Sequence, residues 1–186
     1  MQLQDLLESF RKGSHSEREK GDYFERLVRV FLLNDDIQKQ FYEEVAPFSE
    51  WAEAHGWSKA DTGIDLVGKL ADGSGYVAIQ CKFYAPHYSI QKPDIDSFIS
   101  AASNDLFTRL VIADTTRMEF GKNARETLDK LSKDWNRIGI NDLETSRIDW
   151  SLFTRTGKVS LAPKKELRDH QRDALAAVME GLEKAD

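Results

Sequence analysis

Apolar positions along the chain fall into blocks of two periods. Leu3, Leu6, Leu7 and Phe10 follow i, i+3, i+4, i+7, which predicts a short amphipathic helix ending near Gly13. Ser16 with Glu19 three residues later reads as a capping box. The helix it opens carries Phe24, Leu27, Val28, Phe31 and Leu32 on one face and Glu25 on its flank, and Asn34-Asp35-Asp36 stops it. Residues 37–60 are aromatic-rich and hold Pro47 and Gly56; they predict a short strand near Val45 within an irregular connection.

The period then changes to two. Gly63 to Leu70 is a strand pattern, Ala71 to Gly75 a turn, and Tyr76 to Tyr84 a second strand, so the segment reads as a β-hairpin with Asp72-Gly73 at its tip. Pro93 opens a helix through Ile95, Phe98, Ile99 and Ala102. Arg109 to Asp114 is a short buried strand. Phe120, Ala124, Leu128, Leu131 and Trp135 mark another helix, with a strand around Ile138 and Ile140 after it. This alternation predicts an α/β domain, a central mixed sheet flanked by helices. Residues 151–165 look like a connection, and Leu167 to Leu182 like a last helix with Leu175 and Val178 on its apolar side.

Composition narrows the class. The chain has 186 residues, 40% hydrophobic and 31% charged, which suits one domain of ordinary size with an appendage. Its single cysteine excludes a disulfide scaffold and an all-cysteine zinc module. No apolar run approaches the ~18 residues of a membrane span, and the start lacks the pattern of a signal peptide. The expectation is a soluble, cytoplasmic protein with no membrane partner.

The net charge of −6 argues against a generally basic surface. The acidity sits in residues 1–60, with 8 Lys/Arg against 12 Asp/Glu, whereas residues 61–160 hold 13 against 14. Thr108 to Arg137 carries seven basic residues against five acids, so a local basic face is expected there.

The hairpin brings polar residues together. With Asp72 and Gly73 as the turn, paired positions sum to 145 and Asp65 lies opposite Gln80. A three-residue loop makes the sum 146 and moves Asp65 opposite Cys81, still diagonal to Gln80 and Lys82. Alternation puts Gln80 and Lys82 on one side of the strand and Cys81 on the other, with Asp65 expected on the side of the first two. Asp65 and Lys82 both interrupt apolar strands, where a charge needs a partner or a task. A carboxylate with a second oxygen donor suits Mg²⁺, and a lysine beside it can orient an attacking water and stabilise developing charge. Asp61 and Glu25 are further candidate carboxylates. The chemistry indicated is metal-assisted phosphodiester hydrolysis.

Asp61-Thr62-Gly63-Ile64-Asp65 followed by Ile79-Gln80-Cys81-Lys82 resembles the Mrr-like branch of the PD-(D/E)xK nuclease superfamily, in which Gln commonly stands where cousins have Glu or Asp. Gly21-Asp22-Tyr23-Phe24-Glu25 is similar to that branch's helical element before the site. The resemblance covers roughly residues 14–150. It implies the restriction-endonuclease-like fold, Asp65 as metal ligand, Gln80 at the second ligand position, Lys82 as catalytic lysine and Glu25 as an accessory acid. Mg²⁺ is the implied cofactor, with Mn²⁺ able to substitute, and double-stranded DNA the implied substrate. A catalytically weak DNA-binding module of the same fold is the alternative; a phosphatase-like enzyme using the same metal site is a third reading that nothing favours.

Leu167 to Leu175 resembles the segment that opens a superfamily 2 helicase motor, where Gln171 would read the adenine of ATP. No GxxxxGK[ST] phosphate-binding loop occurs in these residues, so ATP is expected to act only in a longer protein. The implied organisation is an N-terminal helix (1–13), a nuclease domain (14–150), a linker (151–166) and the start of a motor (167–186). Methyltransferase and target-recognition parts are further implied partners in the parent protein. Cys81 and the four tryptophans read as packing residues. His15, His55 and His170 read as exposed, while His87, Tyr84 and Tyr88 lie close enough to the hairpin to approach DNA.

Overall fold

The computed structural model describes residues 3–14, 16–58, 63–163, 171–174 and 176–178. The first helix, α1 (Leu3–Gly13), buries Leu3, Leu6 and Leu7. Ser16 begins α2 (Glu17–Asn34) as its spacing predicts: its hydroxyl accepts the Glu19 N–H at 3.1 Å. Asp35 ends α2, its own N–H donating to Phe31 O. Beyond it come β1 (Tyr42–Pro47), α3 (Phe48–Ala54), β2 (Leu66–Leu70) and β3 (Tyr76–Lys82). The second half runs α4 (Asp96–Ala102), β4 (Phe107–Asp114), α5 (Lys122–Asp129), β5 (Asp134–Ile138), α6 (Ile140–Thr145) and α7 (Trp150–Thr156).

The five strands form one mixed sheet in the order β1-β2-β3-β4-β5. The first three are antiparallel neighbours, and β3, β4 and β5 are parallel. The chain steps twice in the same direction across the parallel half, so crossovers of one hand set α4 and α5 on the same face. There they pack with α3 through Phe48, Trp51, Phe98, Phe107 and Leu128. The opposite face is covered by α1, α2, α6 and α7 through Leu7, Phe24, Leu27, Trp150 and Phe153. Strand alternation feeds both layers: Val77 and Ile79 enter the α2 layer and Ala78 the α4 layer.

Register in the hairpin follows the sum of 145, with Leu66 opposite Ile79 and Lys69 opposite Tyr76. The loop is wider than two residues, since Leu70 N–H donates to Gly75 O at 3.0 Å, yet the sum is unchanged. Gly68 is required by packing: a Cβ there would lie 2.6 Å from the Tyr42 ring.

Three helices depart from the sequence expectation. α3 lies in the stretch expected to be irregular, α6 follows Ile138 where a strand was expected to continue, and α7 occupies part of the expected connection. Each spans only six or seven residues, too short to show a 3.6-residue repeat. Caps mark α7 instead: Asp149 accepts the Leu152 N–H at its start, and Gly157 (φ +70°) ends it. Conversely α5 stops at Asp129, and Trp135 belongs to β5 because Leu110 is its partner across the ladder.

Candidate functional site

β2 and β3 separate at Asp65. Hydrogen-bonded pairs alternate along an antiparallel ladder, so the Leu70–Gly75 pair sets up Leu66–Ile79 and would next set up residue 64 with Cys81. Instead the Asp65 N–H donates to Ile79 O at 2.9 Å, and the Cys81 N–H donates to Asp65 Oδ2 at 2.6 Å. The carboxylate takes the acceptor place of the departing strand. On its other side Asp65 O accepts the Phe48 N–H at 2.8 Å, so β1's end also fixes this residue.

Glu25 reaches the same region from α2. Its carboxyl is pushed up to about 7, first by burial and then by the charges of Asp65 and Asp22, with Arg18 opposing. Cys81 lies between the strands and α2; burial drives its thiol well up, the Asp65 and Glu25 charges add to this, and Lys82 opposes it. The thiol therefore stays protonated and is a packing group.

Gln80 is 1% exposed, and its Oε1 has no hydrogen-bond partner among the described residues. The amide lies against Gly63: a Cβ built there would come 3.3 Å from Gln80 Nε2, 3.0 Å from Phe98 N and 2.8 Å from Ser97 Oγ. Gly63 has φ +79°, so its lack of a side chain serves both the turn into Asp65 and the room for Gln80. Lys82 ends β3 half-buried, and its ammonium makes no hydrogen bond or ion pair with the described residues. Its carbonyl accepts the Thr115 N–H at 3.1 Å. Glu25, Asp65, Gln80 and Lys82 thus surround the end of β3, with Glu25 approaching from the α2 layer and Gln80 from the α4 layer. Asp61 lies outside the described residues. Gln171 sits in an exposed helical turn, 171–174.

The donors suit a hard divalent cation. The Asp65 and Glu25 carboxylates, whose charges act on one another, and a buried amide oxygen without a partner among the described residues are all oxygen donors, whereas the protonated thiol adds no soft ligand. Among the described residues no group of three or more His, Cys, Asp or Glu side chains is assembled for a metal.

One polar cluster escaped the sequence reading. Asp114, Lys82's register partner on β4, is fully buried and accepts from Arg137 Nε at 2.7 Å and Nη2 at 3.0 Å. Thr116 N–H and Oγ1–H donate to the same carboxylate at 2.8 and 2.7 Å. The available signal was the one that picked out Lys82, a charge closing an apolar strand. Part of the expected basic face between Thr108 and Arg137 is committed to structure, Arg137 to Asp114 and Lys133 to the carbonyls of Ala102, Ser103 and Asn104, while Arg125 pairs with Asp129 at the surface. Trp51 and Trp150 are buried, while His87 and Tyr88 are exposed. Asp94 accepts from Tyr84 Oη at 3.2 Å and Tyr88 Oη at 2.8 Å; burial, then Asp94, pushes Tyr84 up to about 12.

A mixed sheet between two helical layers, with acidic and basic groups gathered where the antiparallel and parallel halves meet, defines a restriction-endonuclease-like domain. Residues 33–159 match the restriction endonuclease family Mrr_cat_2, and the chain belongs to that family. Among solved structures it is similar to the ATP-dependent Type ISP restriction-modification enzyme LlaBIII bound to DNA, at 30% identity and a TM-score of 0.69. That match covers 99% of this chain and 11% of LlaBIII, so the chain spans about a tenth of that enzyme's length. The MspJI restriction endonuclease in complex with a 27-mer oligonucleotide matches at 17% identity and a TM-score of 0.45, over 76% of this chain and 29% of that one. A protein of unknown function, AF1548, matches at 18% identity and 0.44, over 74% and 79%. No curated protein matches the chain. Among the described residues no helix is long and apolar enough to cross a membrane.

Proposed function

We propose that this domain hydrolyses phosphodiester bonds of double-stranded DNA with a divalent cation, Mg²⁺ or Mn²⁺, held at Asp65. The observation that carries the reading is that the end of β3 holds a buried Gln80 Oε1 without a partner among the described residues as well as two mutually repelling carboxylates. A divalent cation would offset the repulsion between the carboxylates and give the amide oxygen a partner. Asp65 and Gln80 would be its ligands, with Glu25 an accessory carboxylate and Asp61 a further candidate. When bound, a divalent cation supplies an activated water and neutralises charge on phosphorus.

The chain's own residues do the positioning. Cys81 N–H holds one Asp65 oxygen at 2.6 Å and thereby orients the other. Lys82, uncommitted among the described residues, is free to donate to the attacking water or to the phosphate oxygens as charge builds.

The likeness to LlaBIII supports a place as the nuclease part of a larger ATP-dependent restriction enzyme. In that setting Gln171 would read adenine as the start of a helicase motor, alongside methyltransferase and target-recognition parts. Supercoiled plasmid incubated with the chain and Mg²⁺ or Mn²⁺ tests the chemistry: nicking by wild type and not by Lys82→Ala is expected. Equal persistence of the plasmid with both, with DNA binding retained, would make the domain a DNA-binding module instead.

A further inference from the structure

Because β3, β4 and β5 are parallel, their C-terminal ends lie along one edge of the sheet. Ligands of open α/β sheets bind outside that edge. Just beyond it a cleft of about 530 Å³ opens between α1 and the turns that follow the strands. Leu7, Glu8, Arg11 and Lys12 line one wall, and Thr115 and Arg117 the other. The cleft adjoins the candidate site: Thr115 N–H bonds Lys82 O, and Arg11 donates to Tyr84 O at 3.2 Å with its guanidinium 5.0 Å from the Phe83 ring centre.

We infer that this cleft holds the sugar-phosphate backbone of the DNA strand flanking the scissile bond, an inference that rests on the nuclease reading above. Three cations converge on it. Their present partners are Glu8, which pairs with Arg11 at 3.6 Å and Lys12 at 3.4 Å, Tyr84 O for Arg11, and Glu144 and Asn141, each 2.9 Å from Arg117; Asp5 also lines the cleft. The Lys12 side chain is 77% exposed and that of Arg117 40%, and ion pairs so open to water are weak and readily exchanged for phosphate. Strands lie about 4.8 Å apart, so a wall beginning beyond β4 stands roughly one to two strand spacings from Lys82. What enters the cleft is therefore a neighbouring phosphate and not the one cleaved. Within the 108–137 stretch Arg137 and Lys133 are tied to internal partners, whereas Arg117 reaches this cleft.

The test is binding of a labelled random duplex without divalent metal, from 50 to 200 mM NaCl, by the whole chain and its variants, each checked by melting temperature. Lys12→Ala and Arg117→Gln should each weaken binding at 50 mM NaCl and lower the slope of log affinity against log salt by about 0.9. Glu8→Gln should tighten binding, because it frees Arg11 and Lys12. Wild-type slopes and affinities in all three, or a wild type that does not bind the duplex, would overturn the inference, as would equal effects of Glu8→Gln and Lys12→Ala. Cleavage is read separately. Binding that responds as stated without nicking would keep the cleft and remove the catalytic reading, and nicking with unresponsive binding would do the reverse.

Discussion

The Cys81 backbone N–H donates to Asp65 Oδ2 at 2.6 Å, so one side chain both ends the β2–β3 ladder and sets a carboxylate against the end of β3. The two roles separate by mutation. Asp65→Asn keeps an acceptor for the Cys81 N–H but loses the charge, so nicking should vanish while the melting temperature changes little. Asp65→Ala also orphans a part-buried N–H, which costs about 1–3 kcal/mol. Plasmid nicking beside thermal melts checks both, and excess Mn²⁺ should rescue neither.

Lys82→Ala should leave folding and metal binding intact, since the ammonium holds no described partner. Loss of one preorganised charge-stabilising group lowers the rate by about 10²–10³. Single-turnover cleavage with calorimetric Mn²⁺ titration is the measurement, and lost metal affinity would count against the assigned role.

Gln80→Glu discriminates ligand from structural amide. At 1% exposure a new carboxylate beside Asp65 should lower the metal-free melting temperature by several degrees. As a ligand it should then bind Mn²⁺ at least as tightly as wild type, and Mn²⁺ should restore the melt. A lowered melt that Mn²⁺ does not lift would remove Gln80 from the site.

Glu25 sets a pH dependence. Its carboxyl stands at about 7 in the fold against the ordinary 4.5. Between those values the native state binds more protons than the unfolded chain, so stability falls as pH rises through that window. Glu25→Gln lacks this slope. Without divalent metal its unfolding free energy should gain on wild type from pH 5 to pH 8, by on the order of 1 kcal/mol once partial exposure is allowed for. Mg²⁺ should narrow the gap at pH 8, because the cation offsets the repulsion between Glu25 and Asp65.

Arg137→Ala should destabilise strongly. It leaves the fully buried Asp114 with only Thr116 as a donor, and breaking one side of a buried pair costs about 3–5 kcal/mol. Chemical denaturation would measure it. Asp114→Asn with Arg137→Gln, retaining hydrogen bonding without charge, should recover part of the loss.

Much of this site was legible because its elements are local. Ser16 and Glu19 announce the start of α2, and the apolar repeat from Phe24 to Leu32 sets Glu25 on its flank. The hairpin's turn residues allow sums of 145 and 146, and the strands take 145 as far as Leu66 opposite Ile79. The side on which Asp65 acts was not legible, because its backbone leaves the ladder one residue early and its carboxylate turns to the Cys81 N–H. The Asp114–Arg137 pair was hidden for another reason: its members lie on neighbouring strands joined only by the parallel register of β4 and β5.

The sequence by itself determined most of the alternation of helices and strands, narrowed the hairpin register to two sums and named residues with chemistry to offer. Those follow from period, turn residues and charges placed in apolar strands, all properties of a few neighbouring positions. Only the tertiary structure decided what those residues face. Packing α2 against β3 brings Glu25 to Asp65, and the turn at Gly63 lies against the buried Gln80 amide, whose Oε1 has no partner among the described residues. The parallel edge draws α1 beside the turn after β4. Each of these distances spans tens of residues of chain, and they are set by how two apolar layers close on the sheet, which no local pattern encodes.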